Sequence, residues 1–385
     1  MKIPRGYQSS VTCDDGRIFV IGGSYALGPN NDGPGKKCAR KNAEVYDPIA
    51  KTWTALPQSP VGPMLTREGK PTDGCPTFRS DNHGWLFPWK QNTVFQAGPS
   101  RGMNWFTASS PGGFKSVGNR SDDDDAMCGI AVMYDAAKGK ILTAGGSRTY
   151  GGDPATRHSY ILTIDEANST VESSKIPPMA NPRIYHNAVI LPNGDTLIMG
   201  GRTRGGLFAD DLAVLTPELF SVRQNRWVPL APHATVRVYH SIALLLPDAT
   251  VLVGGGGLCQ DPCGVNHFDA QIYTPPYLFT KSGAIAIRPK ITSISSPSAI
   301  AGAVLTINTE QPVTSASLVR YGSTTHGLNS DQRRIALDLM RKTETQYQVQ
   351  IPGDYGIAPP GYYMLFVIDS SDVPSVATKL QIKLK

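Results

Sequence analysis

The chain has 385 residues, 40% of them hydrophobic, which is ample for a buried core and more than one compact domain needs. Its net charge of +6 is spread along the sequence without a Lys/Arg block or a basic helix, which argues against nucleic-acid binding. No apolar run approaches the ~20 residues of a membrane span, and 39 glycines with 31 prolines favour short elements joined by tight turns. In chain order, the opening stretch MKIPRGYQSS lacks the apolar segment of a signal peptide. FVIGGS follows at residue 19, and the same ending returns as FQAGPS at 95, LTAGGS at 142, LIMGGR at 197 and LVGGGG at 252. The steps of 76, 47, 55 and 55 residues lie near the ~50 of a kelch blade.

Two copies, YHNAVILPNGDTLIMGG and YHSIALLLPDATVLVGGG, match well beyond the glycines. Each reads as a strand, a two-residue polar turn, a second strand and a glycine pair. Paired glycines permit positive φ or close backbone approach, as the crowded centre of a propeller needs. AEVYDPIAKTWTAL and LTPELFSVRQNRWVPL supply later strands, and no segment shows sustained helical periodicity. The repeat ends around AIRPKITSIS at 286–295, and AVLTINT, ASLVRYG, YQVQIP and YYMLFVI then alternate at sandwich spacing. The fold predicted is all-β: a kelch-type β-propeller of five blade units over 1–288, then an immunoglobulin-like β-sandwich over 289–385.

The six cysteines, at 13, 38, 75, 128, 259 and 263, lack the paired spacing of a zinc module. Cys259 and Cys263 in CQDPC are expected to form a local disulfide. Sequons at Asn119 and Asn168 fit an exported protein.

The chemistry concentrates on VRVYHS at 236–241, where Tyr239 and His240 are adjacent. Neighbours on a regular strand point to opposite faces, so joint ligation of one metal requires a strand end or a bulge. IYHN at 184–187 repeats the pair one blade earlier, which favours an architectural role for that position. Against this, Tyr7 in RGYQSS opens a blade at the position of Tyr239, and His326 sits in a polar, Gly-flanked turn, YGSTTHGLNSDQRR. A phenolate and imidazole set suits copper(II), and a phenol of reference pKa ~10 ionises near neutrality only beside such a cation.

At this point the sequence resembles galactose oxidase and its relatives, the secreted copper radical alcohol oxidases of fungi. The resemblance runs almost end to end through RGYQSS, RSDNH, VRVYHS, GGGGLC, NHFDAQI, RPKIT, DQRRI and PGYYMLFV. It implies one copper held by Tyr7 and His326 with His240 in its plane and Tyr239 axial. It further implies that Tyr7 bears the radical, that Tyr239 takes the alcohol proton, and that the Tyr185-His186 copy is structural. Oxidising a primary alcohol removes two electrons while copper(II) accepts one, so an oxidisable phenol beside the metal is the second store. O2 then receives both electrons, giving an aldehyde and hydrogen peroxide.

The pattern is departed from in two respects. Family propellers have seven blades and a cysteine, thioether-linked to the radical tyrosine, on a blade with no counterpart here. The chain is therefore expected to be N-terminally truncated, to lack the thioether partner, and to turn over little. In the substrate pocket, Tyr25 stands where galactose oxidase has Trp, Phe78 replaces a Tyr beside the retained Arg79, and Gly151 replaces a Gln. Tyr150 and Phe208 keep a phenol and an aromatic wall. Losing groups that read a hydroxyl lowers selectivity for it, so a general or aryl primary-alcohol oxidase is expected, secreted and monomeric. The rivals are a non-catalytic carbohydrate- or protein-binding propeller and a glyoxal-type aldehyde oxidase. SDDDDA (121–126) could bind calcium, and His83 and His267 could join a site, but a solvated acidic loop and hydrogen-bonded structural histidines are the readings favoured, and GGGGLC is weak as a phosphate loop because no helix follows.

Overall fold

The computed structural model describes residues 1–23, 41–68, 83–257 and 264–385. Among these the fold is all-β, with only three short 3-10 turns, and no helix is long and apolar enough to cross a membrane. The disulfide expected between Cys259 and Cys263, and the expected pocket residues Tyr25, Phe78 and Arg79, lie outside the described residues.

Five antiparallel sheets follow one another as propeller blades. Blade 1 holds β1 (Ser9–Thr12), β2 (Ile18–Ile21), β3 (Glu44–Asp47) and β4 (Thr52–Ala55). Blade 2 holds β5 (Trp85–Trp89), β6 (Thr93–Gly98), β7 (Gly102–Thr107) and β8 (Phe114–Asn119). In blade 3 are β9 (Ile130–Asp135), β10 (Lys140–Ala144), β11 (Ser159–Thr163) and β12 (Glu172–Ile176). Blade 4 comprises β13 (Ile184–Ile190), β14 (Thr196–Arg202), β15 (Glu218–Ser221) and β16 (Arg226–Pro229), and blade 5 the three strands β17 (Ser241–Leu245), β18 (Val251–Gly255) and β19 (Ala270–Tyr273). Each of the five glycine-bearing endings is the end of a blade's second strand. Every residue of β13 and β14 is buried, because blade 4 has a neighbour on both faces. In β1 and β17 burial alternates instead, so one face of blades 1 and 5 is partly open.

A charged clamp fixes three of the blades. Arg5, Arg183 and Arg237 each stand two residues before a tyrosine. Each donates from Nη1 to the carbonyl of a glycine in or next to its blade's second strand: Gly22 at 2.8 Å, Gly200 at 2.8 Å and Gly255 at 3.0 Å. Nη2 of each pairs with an acid just beyond, Glu44 at 3.0 Å, Glu218 at 2.7 Å and Asp269 at 2.7 Å. The first two pairs are fully buried, so removing either partner would strand a charge at a cost of about 3–5 kcal/mol. Close packing at the glycines is enforced: a Cβ on Gly200 would lie 2.1 Å from the Arg237 carbonyl.

The sandwich packs one sheet, ordered β20 (Ile291–Ile294), β22 (Val304–Thr309), β28 (Gln346–Gln350), β27 (Met340–Arg341), against another. The second sheet runs β21 (Ser298–Ala299), β30 (Thr378–Ile382), β29 (Gly361–Ile368), β23 (Ser315–Arg320), β26 (Arg334–Leu337). A separate hairpin, β24 (Ser323–Thr325) and β25 (Leu328–Ser330), leaves the sandwich and packs against β9, β13 and β17. The residues after it pin it among the blades. Asp331 accepts from the Thr12 N–H (3.1 Å) in blade 1, and Gln332 accepts from the Ile190 N–H (2.7 Å) in blade 4. Arg333 donates to the Pro88 carbonyl (3.0 Å) in blade 2. A continuous apolar cluster joins Trp89 and Phe95 of blade 2 and Met133 of blade 3 to Leu318, Ile335 and Leu365 of the sandwich.

Candidate metal centre

Tyr7 lies between the Arg5 clamp and β1, and Tyr239-His240 lies between the Arg237 clamp and β17. The latter pair is in a turn closed by Ser241 N–H on the Val238 carbonyl (2.9 Å), not in a strand. His240 there has φ +66, in the left-handed region, which lets two adjacent rings share one side. In the blade 4 copy, by contrast, Tyr185 and His186 are both buried within β13, and it is the tyrosine, with φ +60, that has the left-handed backbone. His326 comes from the other direction, at the tip of the hairpin, with φ +53.

The four rings converge. The Tyr7 centroid lies 5.0 Å from that of His326, His326 lies 4.6 Å from His240 and 5.5 Å from Tyr239, and Tyr239 lies 3.9 Å from His240. Left-handed backbone at Tyr7, His83, Tyr185, Phe208, His240 and His326 surrounds this point. Such conformations are costly for bulky residues and concentrate at functional sites.

The donor atoms suit a metal. His240 Nδ1 is 2.7 Å from the Gly257 carbonyl, which can only accept, so Nδ1 carries the proton and Nε2 offers its lone pair. His326 Nδ1 is 2.6 Å from Thr325 Oγ1, and its Nε2 is buried without a hydrogen-bond partner. A buried, unsatisfied imidazole nitrogen costs free energy unless something occupies its lone pair. Burial, then the neighbouring His83 and His240, push the His326 imidazolium down to about 3, and burial also lowers His240. Both rings are therefore neutral near pH 7, the form that ligates. Among the described residues no group of three His, Cys, Asp or Glu side chains is placed to hold a metal ion, so a donor set drawn from them would include phenol oxygens.

Around the four rings, Tyr150 and Tyr239 hydroxyls are hydrogen-bonded at 2.6 Å. Phe208 stands edge-on to Tyr239 (5.4 Å) and tilted against His240 (5.8 Å). His83, read from sequence as structure, proves to be part of the cluster. It stacks on His326 at 4.8 Å and 16°, and its Nε2 lies 3.4 Å from the Tyr150 hydroxyl. His267 is elsewhere, bound to Asp210 at 3.0 Å. Three of the four aspartates in the acidic run have protein partners: Asp123 with His158 and Tyr160, Asp124 with Arg67, and Asp125 with the Arg67 and Arg101 N–H groups.

A solved structure described as a novel fungal alcohol oxidase with catalytic diversity among the AA5 family, in complex with copper, matches this chain with a TM-score of 0.93. The two are 43% identical, and the match covers 100% of this chain and 77% of that one. The chain belongs to the galactose oxidase family. Galactose oxidase of Gibberella zeae (strain PH-1) is 49% identical over 389 residues, 99% of this chain and 55% of that protein. The chain thus spans about half the length of that relative. Aldehyde oxidase GLOX1 of Arabidopsis thaliana is 27% identical over 98% of this chain and 63% of its own length. Family models match as well: the galactose oxidase-like early set domain over 288–382, the glyoxal oxidase N-terminus over 124–268 and a kelch motif over 5–60. In the galactose oxidase family, copper and a tyrosyl radical are the redox pair, and the propeller and sandwich described above are the shared fold.

Proposed function

We propose that this protein is a copper-dependent oxidase converting a primary alcohol and O2 to an aldehyde and hydrogen peroxide. The carrying observation is the unpartnered, buried Nε2 of His326 facing a cluster that already holds His240 and two phenols. Tyr7, Tyr239, His240 and His326 are the residues that would hold copper. When bound, the metal supplies a one-electron acceptor and a Lewis acid that makes the alcohol hydroxyl acidic.

The chain's own groups do the rest. Tyr239 accepts the hydroxyl proton, and its hydrogen bond to Tyr150 gives that phenol oxygen a fixed orientation for the transfer. Tyr7, 40% exposed, is the phenol that would take a hydrogen atom from the carbinol carbon once an oxidant had removed one electron from it beside the bound metal. The two electrons and two protons removed from the alcohol leave with O2 as hydrogen peroxide. Phe208 forms an apolar wall against Tyr239 and His240 that favours an aromatic or unbranched alcohol.

The reading extends to organisation and place: a propeller over 1–288, a sandwich over 289–385, a monomer, and secretion, for which the exposed sequon at Asn119 is suited. Glyoxal-type aldehyde oxidation is a second reading, favoured by the match of 124–268 to the glyoxal oxidase N-terminus. Peroxide release from benzyl alcohol, galactose and methylglyoxal by the copper-loaded full-length protein separates them. Benzyl alcohol is expected to give the highest kcat/KM; a large preference for galactose, or turnover of methylglyoxal alone, would overturn the assignment.

A further inference from the structure

Tyr185 is the residue that repeats Tyr239 one blade earlier, and its phenol is occupied in an unusual way. The side chain is almost fully buried, at 2% exposure. Its ring meets Tyr239 edge-on at 5.3 Å and Tyr150 at 6.2 Å. Its hydroxyl donates to the main-chain carbonyl of Tyr150 and accepts the N–H of Gly206 at 3.3 Å. These two partners belong to different loops. One runs from Ser147 to Thr156 between β10 and β11 and carries Tyr150; the other runs from Thr203 to Leu212 after β14 and carries Phe208.

The loops are close enough for one oxygen to bridge them because they already touch. Gly205 N–H donates to the Asp153 carbonyl at 2.8 Å and Ala155 N–H to that of Thr203 at 3.0 Å. A Cβ on Gly205 would come within 2.8 Å of the Gly152 nitrogen, so no side chain fits between the two backbones. Arg202 holds the far side of the second loop through Gly206 (2.7 Å) and Asp211 (2.7 Å). What Tyr185 adds is the inner attachment, on the side facing Tyr239.

We propose that Tyr185 is a positioning residue of the oxidase site: its hydroxyl ties the Tyr150 loop to the Phe208 loop and so sets both side chains against Tyr239. The role rests on the oxidase reading for its consequence in turnover, but the tie itself is a property of the metal-free protein.

Tyr185→Phe keeps the ring and deletes only the oxygen. In metal-free protein, amide exchange at Gly206 is expected to accelerate about tenfold, the scale of one lost hydrogen bond, while amides of β13 and β14 keep their rates. Tyr150→Phe is the control: the tie uses the Tyr150 carbonyl, so Gly206 exchange stays at the parent rate. In the copper-loaded full-length protein, KM for benzyl alcohol is expected to rise about fivefold in Tyr185→Phe with kcat within about twofold. Unchanged exchange at Gly206 would overturn the proposal. Acceleration spread across β13 and β14, or faster loop exchange with KM unmoved, would reduce Tyr185 to a packing residue and overturn it equally. A full-length parent protein that neither takes up copper nor oxidises alcohols would refute the oxidase reading alone, leaving the exchange result to decide the tie.

Discussion

His186 and His240 occupy neighbouring blades and are chemically opposite. His240 lies in a turn with one nitrogen presented to the cluster, whereas His186 is at 0% exposure inside β13. Burial first, and then Arg183, push the His186 imidazolium down to about 3. The unfolded chain binds a proton at this ring below about 6.5, the ordinary value for histidine, and the folded protein refuses it until about 3. Stability from this group is therefore full above the unfolded value and is lost as pH falls through the window between the two. The melting temperature of the metal-free protein should drop on acidification from pH 6.5 to 4, and His186→Leu should flatten that drop. Parallel curves for the two proteins would show that His186 does not titrate as its burial requires. The same residue scale explains what sequence could and could not reveal. Tyr239 and His240 could be singled out in the sequence through Tyr7 at the matching blade position and the family resemblance, although the repeat at Tyr185 and His186 pointed to an architectural role. His83 could not be, since its stacking on His326 joins residues 83 and 326 only after the sandwich has docked.

Among elements, the β24–β25 hairpin decides the most. Its blade contacts are polar and specific, through Asp331, Gln332 and Arg333 in succession, so its tip is located to within hydrogen-bonding tolerance. Directly after His326, Gly327 has φ +78, and a Cβ there would sit 2.6 Å from the His186 carbonyl. Alanine is thus excluded twice, by conformation and by collision with a strand whose residues are all buried. Gly327→Ala should lift the tip, weaken copper binding by at least about tenfold (~1.4 kcal/mol), and leave the blades' circular dichroism unaltered. Undiminished copper affinity in that variant, measured by competition with a chelator, would mean that the tip does not deliver a ligand. The blades themselves were readable from glycine endings and hairpin turns. The Arg clamps could have been anticipated too, from the Arg two places before Tyr7, Tyr185 and Tyr239, but their acids at 44, 218 and 269 follow at spacings too uneven to be noticed.

At the scale of the whole molecule, the propeller and the sandwich share one apolar cluster and cooperate on a single small region. The propeller contributes rings from its first and last blades, and the sandwich reaches in with one imidazole. No blade alone, and neither part alone, holds a complete donor set. Sequence order conceals this, because positions 7, 239, 240 and 326 become neighbours only through the succession of blades and the docking of the hairpin. The composition-level expectation of an all-β chain needed no such convergence, which is why it could be read directly.

The central claim is that these two phenols and two imidazoles bind one copper ion. Titrating copper(II) into the metal-free protein while recording the visible spectrum tests it most directly. Saturation is expected at one ion per chain with a phenolate-to-copper charge-transfer band, and is expected to be lost when His326 is replaced by alanine. A titration without that band, or one that His326→Ala leaves unchanged, would contradict it.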